Sequence, residues 1–384
     1  MTDVLRARLM RPEFRRRNDY SVTTANERAV LNVIRRGSPI SRADVARLVN
    51  LSGMSISRIV DGLIERGLVR EGDKMQGIRG PTVSLALNPD AAYSLGIAVM
   101  SDAVSLSLMD FSGKIRFSSL EVAPDMRRET VLRLASDRLA KWMKRDGLVP
   151  DRLFAIGVGV SGFFVEDGAR FNAAPALDDW ALLDIEDKVS AYFDRPAWID
   201  NDGNAAIIGE TLLGVGRWAS SFAYIYVAAG VGGGLVVNGR PLRGRMGNAG
   251  EFASVLPPDF VHPNLNLLRD MIAQAGVPTS SLSDMIARFR MDWPGVDAWL
   301  DLTQASFNLI VSAASAVLDP EAVVLGGRLP PPLASCLAER AQVFNTTRRG
   351  RPRPLPRIVA AETEGDATAI GAAAIPLHEH FFAP

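Results

Sequence analysis

Ala197-Trp198-Ile199-Asp200-Asn201-Asp202-Gly203-Asn204-Ala205-Ala206 runs from a short apolar strand directly into polar residues, and the chain then continues as a helix through Glu210. A strand that becomes a helix at a polar corner is a building unit of α/β layers. Upstream, the pattern predicts two strands over 94–109, a hairpin turn at Asp110-Phe111-Ser112-Gly113-Lys114, a helix over 129–145 and a buried strand over 153–160. Downstream, it predicts a strand over 222–227, a glycine-rich loop Ala228-Ala229-Gly230-Val231-Gly232-Gly233-Gly234, a strand over 235–237 turning at Asn238-Gly239, and a buried strand Ala322-Val323-Val324-Leu325 ending at Gly326-Gly327. Both halves place antiparallel strands, then a helix, then a strand ending in a glycine or polar loop. Two related lobes with a cleft between them are expected.

The 384 residues are 47% hydrophobic and 22% charged, the composition of a folded chain long enough for two or three domains. One cysteine, Cys336, excludes an internal disulfide. His262, His378 and His380, the only histidines, sit in no recognisable triad or zinc pattern, so a Ser-His-Asp hydrolase and a Cys/His zinc site are disfavoured and no metal or cofactor is expected. No run approaches the roughly 20 apolar residues of a membrane span, and the N-terminus lacks an apolar run of signal-peptide length, so a cytoplasmic location without membrane contact is expected. Overall neutrality conceals an asymmetry. Residues 1–80 carry net charge +7 and the remainder −7, the mark of a polyanion-binding head on another kind of body.

The head follows an arginine-rich lead (Arg15, Arg16, Arg17). Val30, Leu31, Val33 and Ile34 form one helical face that stops at Gly37-Ser38-Pro39. Ser41 caps a short helix over 42–49, with Asp44 three residues on in a near capping box. The turn Asn50-Leu51-Ser52-Gly53 leads to a third helix over about 54–66. Three short helices with a tight turn before the last are the layout of a helix-turn-helix. Ser55, Ser57 and Arg58 are placed to reach base edges, and Ser52 with the free helix-start amides to hold a phosphate. Strands at 68–70 and 83–87 flank a glycine-rich tip over 72–81 that carries Lys74 and Arg79, a wing against the DNA backbone or minor groove. A plain helical corner would show the same three helices; the wing, the caps and the charge together point to double-stranded DNA. Arg58 as a solvated charge, and Arg79 as a contact to the body, stay open.

Four segments in the body carry a family likeness: Asp200 to Ala206 with Gly209-Glu210, Gly230 to Gly234, Gly247-Asn248-Ala249-Gly250-Glu251, and Leu325-Gly326-Gly327. With the head, they make the chain resemble the ROK family of repressors, open reading frames and sugar kinases, over nearly its whole length. The resemblance implies a winged helix-turn-helix over 1–88 and a two-lobed actin/hexokinase-like (ribonuclease H-like) α/β body over 89–384. Lobe one then spans about 89–205 plus the C-terminal helix, and lobe two about 206–365.

In the family's kinases the position of Asp202 is the general base, and Asn201 and Glu251 hold sugar hydroxyls. A ligand set of Asn201, Asp202, Glu251, Ser254 and Gly162 is therefore implied. Asn201 and Asp202 as caps of the following helix, and Glu251 as an arginine partner, are the plainer uses of the same residues. The family's first phosphate loop, Asp-x-Gly-Gly-Thr-Lys, corresponds to Ala98-Val99-Met100-Ser101-Asp102-Ala103, and the Gly-Thr of the second to Ala228-Ala229. Side chains replace bare backbone, and Asp102 puts negative charge where phosphate would sit. The zinc-associated histidine after Gly-Glu is missing (Phe252-Ala253-Ser254), and the sugar-contacting Pro-Asn-Leu reads Pro175-Ala176-Leu177. The expected protein is a non-enzymatic, sugar-responsive repressor, acting as a homodimer or tetramer on operator DNA, with a small carbohydrate as effector. A sugar kinase carrying a DNA-binding head is the alternative, and a constitutive DNA binder a third reading. The apolar stripe of Gln304–Leu318 is either the dimer surface or core.

Overall fold

Thr24 opens α1 (Ala25–Gly37) with a reciprocal box: its hydroxyl accepts from the Glu27 N–H, and the Glu27 carboxylate accepts from the Thr24 N–H. The computed structural model describes residues 23–77, 80–166 and 170–382; Arg15, Arg16, Arg17 and Arg79 lie outside them. After α1 come β1 (Ile40–Ser41), α2 (Arg42–Val49) and α3 (Gly53–Glu65). Ser41 and Ser52 cap α2 and α3, each accepting from the N–H three residues on. Asp44 does not close a box, because its carboxylate takes the Ser41 hydroxyl instead of the cap's N–H. Val30, Leu31, Ile34, Val45, Ile56, Val60 and Leu63 are fully buried between the three helices.

The wing strands are β2 (Val69–Gly77) and β3 (Gly80–Leu87), longer than the sequence suggests. Pairing breaks between Glu71 and Lys74 and resumes at Lys74–Val83, with the Ser84 hydroxyl donating to the Asp73 carbonyl across the gap. The expected loop over 72–81 is therefore mostly ladder.

The first body sheet is built from β4 (Tyr93–Val99), β5 (Val104–Asp110) and β6 (Ile115–Glu121), then α4 (Arg128–Asp146) and β7 (Leu153–Val160). A small hairpin of β8 (Gly162–Val165) and β9 (Arg170–Ala173), α5 (Ile185–Phe193), β10 (Ala197–Asn201) and α6 (Asp202–Leu213) follow. Its order is β10-β7-β4-β5-β6, with β7 and β10 parallel to β4 and β5 antiparallel to it. The second lobe has β11 (Phe222–Val227), β12 (Val231–Val237) and β13 (Arg240–Leu242), then α7 (Leu265–Gln274), α8 (Leu282–Arg288), α9 (Val296–Leu318) and β14 (Ala322–Gly327). It closes with α10 (Pro331–Arg340), a hairpin of β15 (Thr347–Arg348) and β16 (Arg351–Pro352), and β17 (Arg357–Ala360). The order β13-β12-β11-β14-β17 repeats that of the first sheet, again with an antiparallel meander followed by parallel strands. Two lobes of one plan result.

One expectation needs correction, and one open choice is resolved. Gly230–Gly234 is not one loop, since Val231 to Gly234 belong to β12 and only Ala228–Gly230 turn. Packing bears on Gly233 and Gly234: a Cβ on Gly233 would lie 2.2 Å from the Tyr224 carbonyl and 2.6 Å from the Phe252 ring, and one on Gly234 2.8 Å from Ile207. The stripe on α9 is chiefly core, with Ile310 and Val311 fully buried against the second sheet, although Val317 near its end is 85% exposed.

The last helix, α11 (Ala367–Leu377), crosses back onto β4 and β7, so close that a Cβ on Gly157 would lie 1.8 Å from the Ala372 carbonyl. It runs on into one wide turn, His378–Phe382, whose Phe381 and Phe382 pack in the same apolar cluster as the head. Thr23 donates to the His380 carbonyl (2.9 Å), Asn32 to that of Phe382 (3.4 Å), and Arg35 lies over the Phe382 ring. The end of the body is thus the seat of the head.

Candidate nucleic-acid interface and ligand site

On the head, local ion pairs sort the arginines. Arg42 bridges to Asp61 (2.7 Å) and Glu71 (3.1 Å), tying α2 to α3 and the wing; Arg47 pairs with Asp44, and Arg66 with Glu27. Arg58 and Lys74, both exposed, have no acidic partner among the described residues. Ser52 and Ser55 are exposed, with hydroxyls 2.9 Å apart, and Ser57 is half-buried. Arg79 lies outside the described residues. Residue-by-residue reading passed over Met54, which is 85% exposed in the first turn of α3. An apolar side chain kept in water beside a helix cap suits contact with a thymine methyl. Its position at the helix start was the available signal.

At the lobe junction the chain passes from β10 into α6. Asn201 caps α6: its Oδ1 accepts from Gly203 (2.7 Å) and Asn204 (3.2 Å), while its Nδ2 donates to the Gly162 carbonyl. Most of this amide's capacity is spent inside the protein, and Gly162 takes part through its carbonyl. Asp200, almost fully buried, pairs with Arg243 and accepts from Asn204 Nδ2 (3.0 Å). Asn204 Nδ2 also donates to the Gly247 carbonyl (2.8 Å), which leaves its Oδ1 buried without a hydrogen-bond partner among the described residues. Asn248 holds Phe164 by both backbone groups at 2.8 Å, joining the loop before Glu251 to β8.

Asp202 and Glu251 face one another electrostatically across this junction. Burial pushes Asp202 up to about 7; hydrogen bonds from Ser161 and the Gly203 N–H oppose the rise, and the nearby Asp366 carboxylate adds to it. Burial, then the Asp202 charge, pushes Glu251 up to about 7 as well. Glu251 has no ion pair or hydrogen bond to its carboxylate among the described residues, so the arginine partner considered for it is not found. Ser254 is exposed on the single turn Phe252–Val255, and its recorded contact is a backbone one to the Glu251 carbonyl; no side-chain contact brings it to the buried carboxyls.

On the other side of the junction the β4–β5 turn meets the end of β14. The Asp102 carboxylate accepts from Arg328 (2.6 Å) and from the Ser283 N–H (2.6 Å), and Arg328 also donates to the Ser283 hydroxyl (2.7 Å). Burial raises the Asp102 carboxyl, but the Arg328 charge and the Ser283 hydrogen bonds outweigh it and hold it below the ordinary range. Asp102, noted in the sequence only as an added negative charge, is neutralised by a residue 226 positions away. Among the described residues no cluster of His, Cys, Asp and Glu is arranged to hold a metal, and no helix is long and apolar enough to cross a membrane.

Fold and site together define a class: a winged helix-turn-helix head on a two-lobed, sugar-kinase-like α/β body. The model of the ROK family matches residues 95–261, and that of a winged helix DNA-binding domain matches residues 24–80. The chain carries a ROK family domain behind an N-terminal winged helix DNA-binding domain. An uncharacterized protein, y4fQ, of Sinorhizobium fredii is 28% identical over 365 residues, covering 93% of this chain and 92% of its own length. The xylose repressor of Caldicellulosiruptor bescii is 32% identical over 231 residues, 59% of this chain and 57% of that protein. Among solved structures, a ROK family transcriptional regulator described as a homolog of the E. coli MLC protein superposes with TM-score 0.65 at 20% identity, over 93% of this chain and 97% of that one. A ROK family glucokinase from Streptomyces griseus, in complex with glucose and AMPPNP, gives 0.60 at 20% identity over 74% and 99%. The body's fold is common to regulators and kinases.

Proposed function

We propose that this chain is a sugar-responsive DNA-binding repressor, working as a dimer that presents two heads to the halves of an operator. The observation that carries the sensing half is the pair Asp202 and Glu251: two carboxyl groups at the lobe junction, neither neutralised by a cation. Adjacent hydroxyls of a carbohydrate are the ligand chemistry that carboxyls of either protonation state recognise, as acceptors when ionised and as donors when not. Asn204, with a buried open acceptor, joins Asn201, Asp202 and Glu251 in the proposed site. Gly162 acts by orienting Asn201, and Ser254 stands at the rim.

The Asp102–Arg328–Ser283 cluster supports sensing over phosphoryl transfer. A carboxylate and a guanidinium are paired where the family resemblance places the first phosphate loop, so a nucleotide would have to displace a buried ion pair. Against this, a carboxyl at about 7 in Asp202 is suited to general-base work, which keeps the kinase reading worth testing.

Signal reaches the head through α11. Thr368 donates to the Asp202 carbonyl (3.2 Å) at one end of the helix, and the turn after its other end carries Phe381 and Phe382 into the head cluster. A sugar that favours one lobe closure shifts this seat only by its differential affinity for the two states.

Thermal-shift measurements against a panel of mono- and disaccharides, xylose and N-acetylglucosamine included, test the proposal. A sugar bound only by the native state raises the melting temperature. Wild type is expected to respond to at least one sugar, Glu251→Gln to lose the response, and the same sugar to release duplex DNA. Sugar-dependent ADP formation would select the kinase reading, and silence across the panel would remove the sensor.

A further inference from the structure

The hairpin of β15 and β16 belongs to neither site. Arg348, Arg349, Arg351, Arg353 and Arg357 fall within ten residues, and no Asp or Glu occurs between Glu339 and Glu362. Without these five, residues 81–384 carry net charge −12, so the hairpin is a basic island on an acidic body.

The five arginines divide by what they touch. Arg353 donates to the Ser315 carbonyl (3.3 Å) and hydroxyl (3.1 Å) near the end of α9, and Arg357 lies 4.3 Å over the Trp218 ring. Phe344 N–H donates to the Ser312 hydroxyl (2.8 Å), and Asn345 Nδ2 to the Arg353 carbonyl (2.8 Å). The Ser312 and Ser315 contacts fasten the base of the hairpin to α9. Arg348, Arg349 and Arg351 form its tip, all exposed and without an acidic partner among the described residues. Arg348 stands directly opposite Arg351 in the ladder. Like charges in that position destabilise a two-stranded pair, and an anion between them reverses the sign.

We propose that this tip is a second contact of the chain with duplex DNA, holding backbone phosphates outside the segment gripped by the winged helix. The proposal rests on the reading of the chain as a DNA-binding protein. Charge complementarity names the occupant: guanidinium groups match phosphate oxygens in paired geometry, and an acidic body next to DNA needs a basic foothold to lie along it. Contacts to phosphate add affinity without sequence preference.

The test uses the full-length protein and a fluorescent mixed-sequence duplex of about four helical turns. Arg348→Ser/Arg349→Ser/Arg351→Ser is compared with wild type and with the head variant Arg58→Ala/Lys74→Ala across a salt series. Three phosphate contacts contribute a slope of about 2.7 in log affinity against log salt, so wild type should lose about 40-fold more affinity than the triple variant between roughly 50 and 200 mM salt. An unchanged slope and affinity in the triple variant, with loss in the head variant, overturns the hairpin contact and leaves the head reading intact. Loss in the triple variant alone supports the hairpin and counts against the head. No binding by any of the proteins overturns both. A change in native mass of the triple variant with unchanged DNA binding identifies the hairpin as a contact between copies of the chain and likewise overturns the proposal.

Discussion

Asp202→Asn should make the protein more resistant to alkaline conditions, because it replaces a buried carboxyl by an amide of the same shape. In the folded chain Asp202 titrates at about 7, chiefly through burial, against about 3.9 for an exposed aspartate. A folded value above the unfolded one means that the native state holds its proton more tightly. The resulting stability is fully present below about pH 4 and is lost as pH rises to about 7, some 4 kcal/mol in all at about 1.36 kcal/mol per pH unit. Between roughly pH 5 and pH 8 the share lost is about 2.7 kcal/mol. The amide of the variant has nothing to ionise and can still accept from the Gly203 N–H as the Asp202 carboxyl does at 2.9 Å. Glu251 would also relax towards its ordinary value, since the Asp202 charge is one cause of its rise. The assay is a pair of melts at each pH. Wild type and variant should nearly coincide at the acid end, and the variant should melt higher by about 3 °C at the alkaline end. Parallel pH profiles for the two proteins would refute the burial of a titrating carboxyl at the junction.

Two further outcomes follow from contacts across the molecule. Asp102→Ala leaves the Arg328 guanidinium buried and unpaired, at a cost of about 3 kcal/mol in urea unfolding, whereas Asp102→Leu/Arg328→Met should lose less than the summed single changes; strict additivity would mean that the pair does not join the lobes. Phe381→Ala removes a fully buried ring in edge contact with Phe111 (4.9 Å) and should cost about 3 kcal/mol, seen as faster proteolysis between head and body; unchanged cleavage would show that the tail does not seat the head.

The parts of this fold readable in the sequence are those specified by neighbours in the chain. Ser41 and Ser52 announce α2 and α3 because a cap acts over three residues, and the inner strands β7, β11 and β14 declare themselves by unbroken apolar runs. Where tertiary contact decides, local reading fails. Gly232, Gly233 and Gly234 read as a loop since glycine carries no side-chain pattern, yet the ladder with β11 makes them strand. Asn201, Asp202 and Glu251 are visible as polar residues at a strand-to-helix corner and beside a glycine pair. That the Asn201 amide is also taken up by the Gly162 carbonyl, that Glu251 lacks a cation and that Asp102 has one are properties of chain segments distant in sequence.

The placement of charge explains why one architecture can host opposite chemistries. Phosphoryl transfer needs an open anion site facing the hydroxyl-binding carboxyls, and positive charge that moves with the nucleotide. In this chain Arg328 is tied to Asp102 and Ser283, and Asp366, whose carboxyl burial raises, sits at the start of the helix that ends under the head. The junction therefore holds Arg243 and Arg328 in internal pairs and leaves the Asp202 and Glu251 carboxyls without a cation. An uncharged polyol can enter such a place without rearranging the pair, while a triphosphate would have to break it and bring several more negative charges beside Asp202 and Glu251. With the buried carboxyls near one end of α11 and the head at the other, hydroxyl recognition at the proposed site would act next to the element that carries the DNA-binding domain.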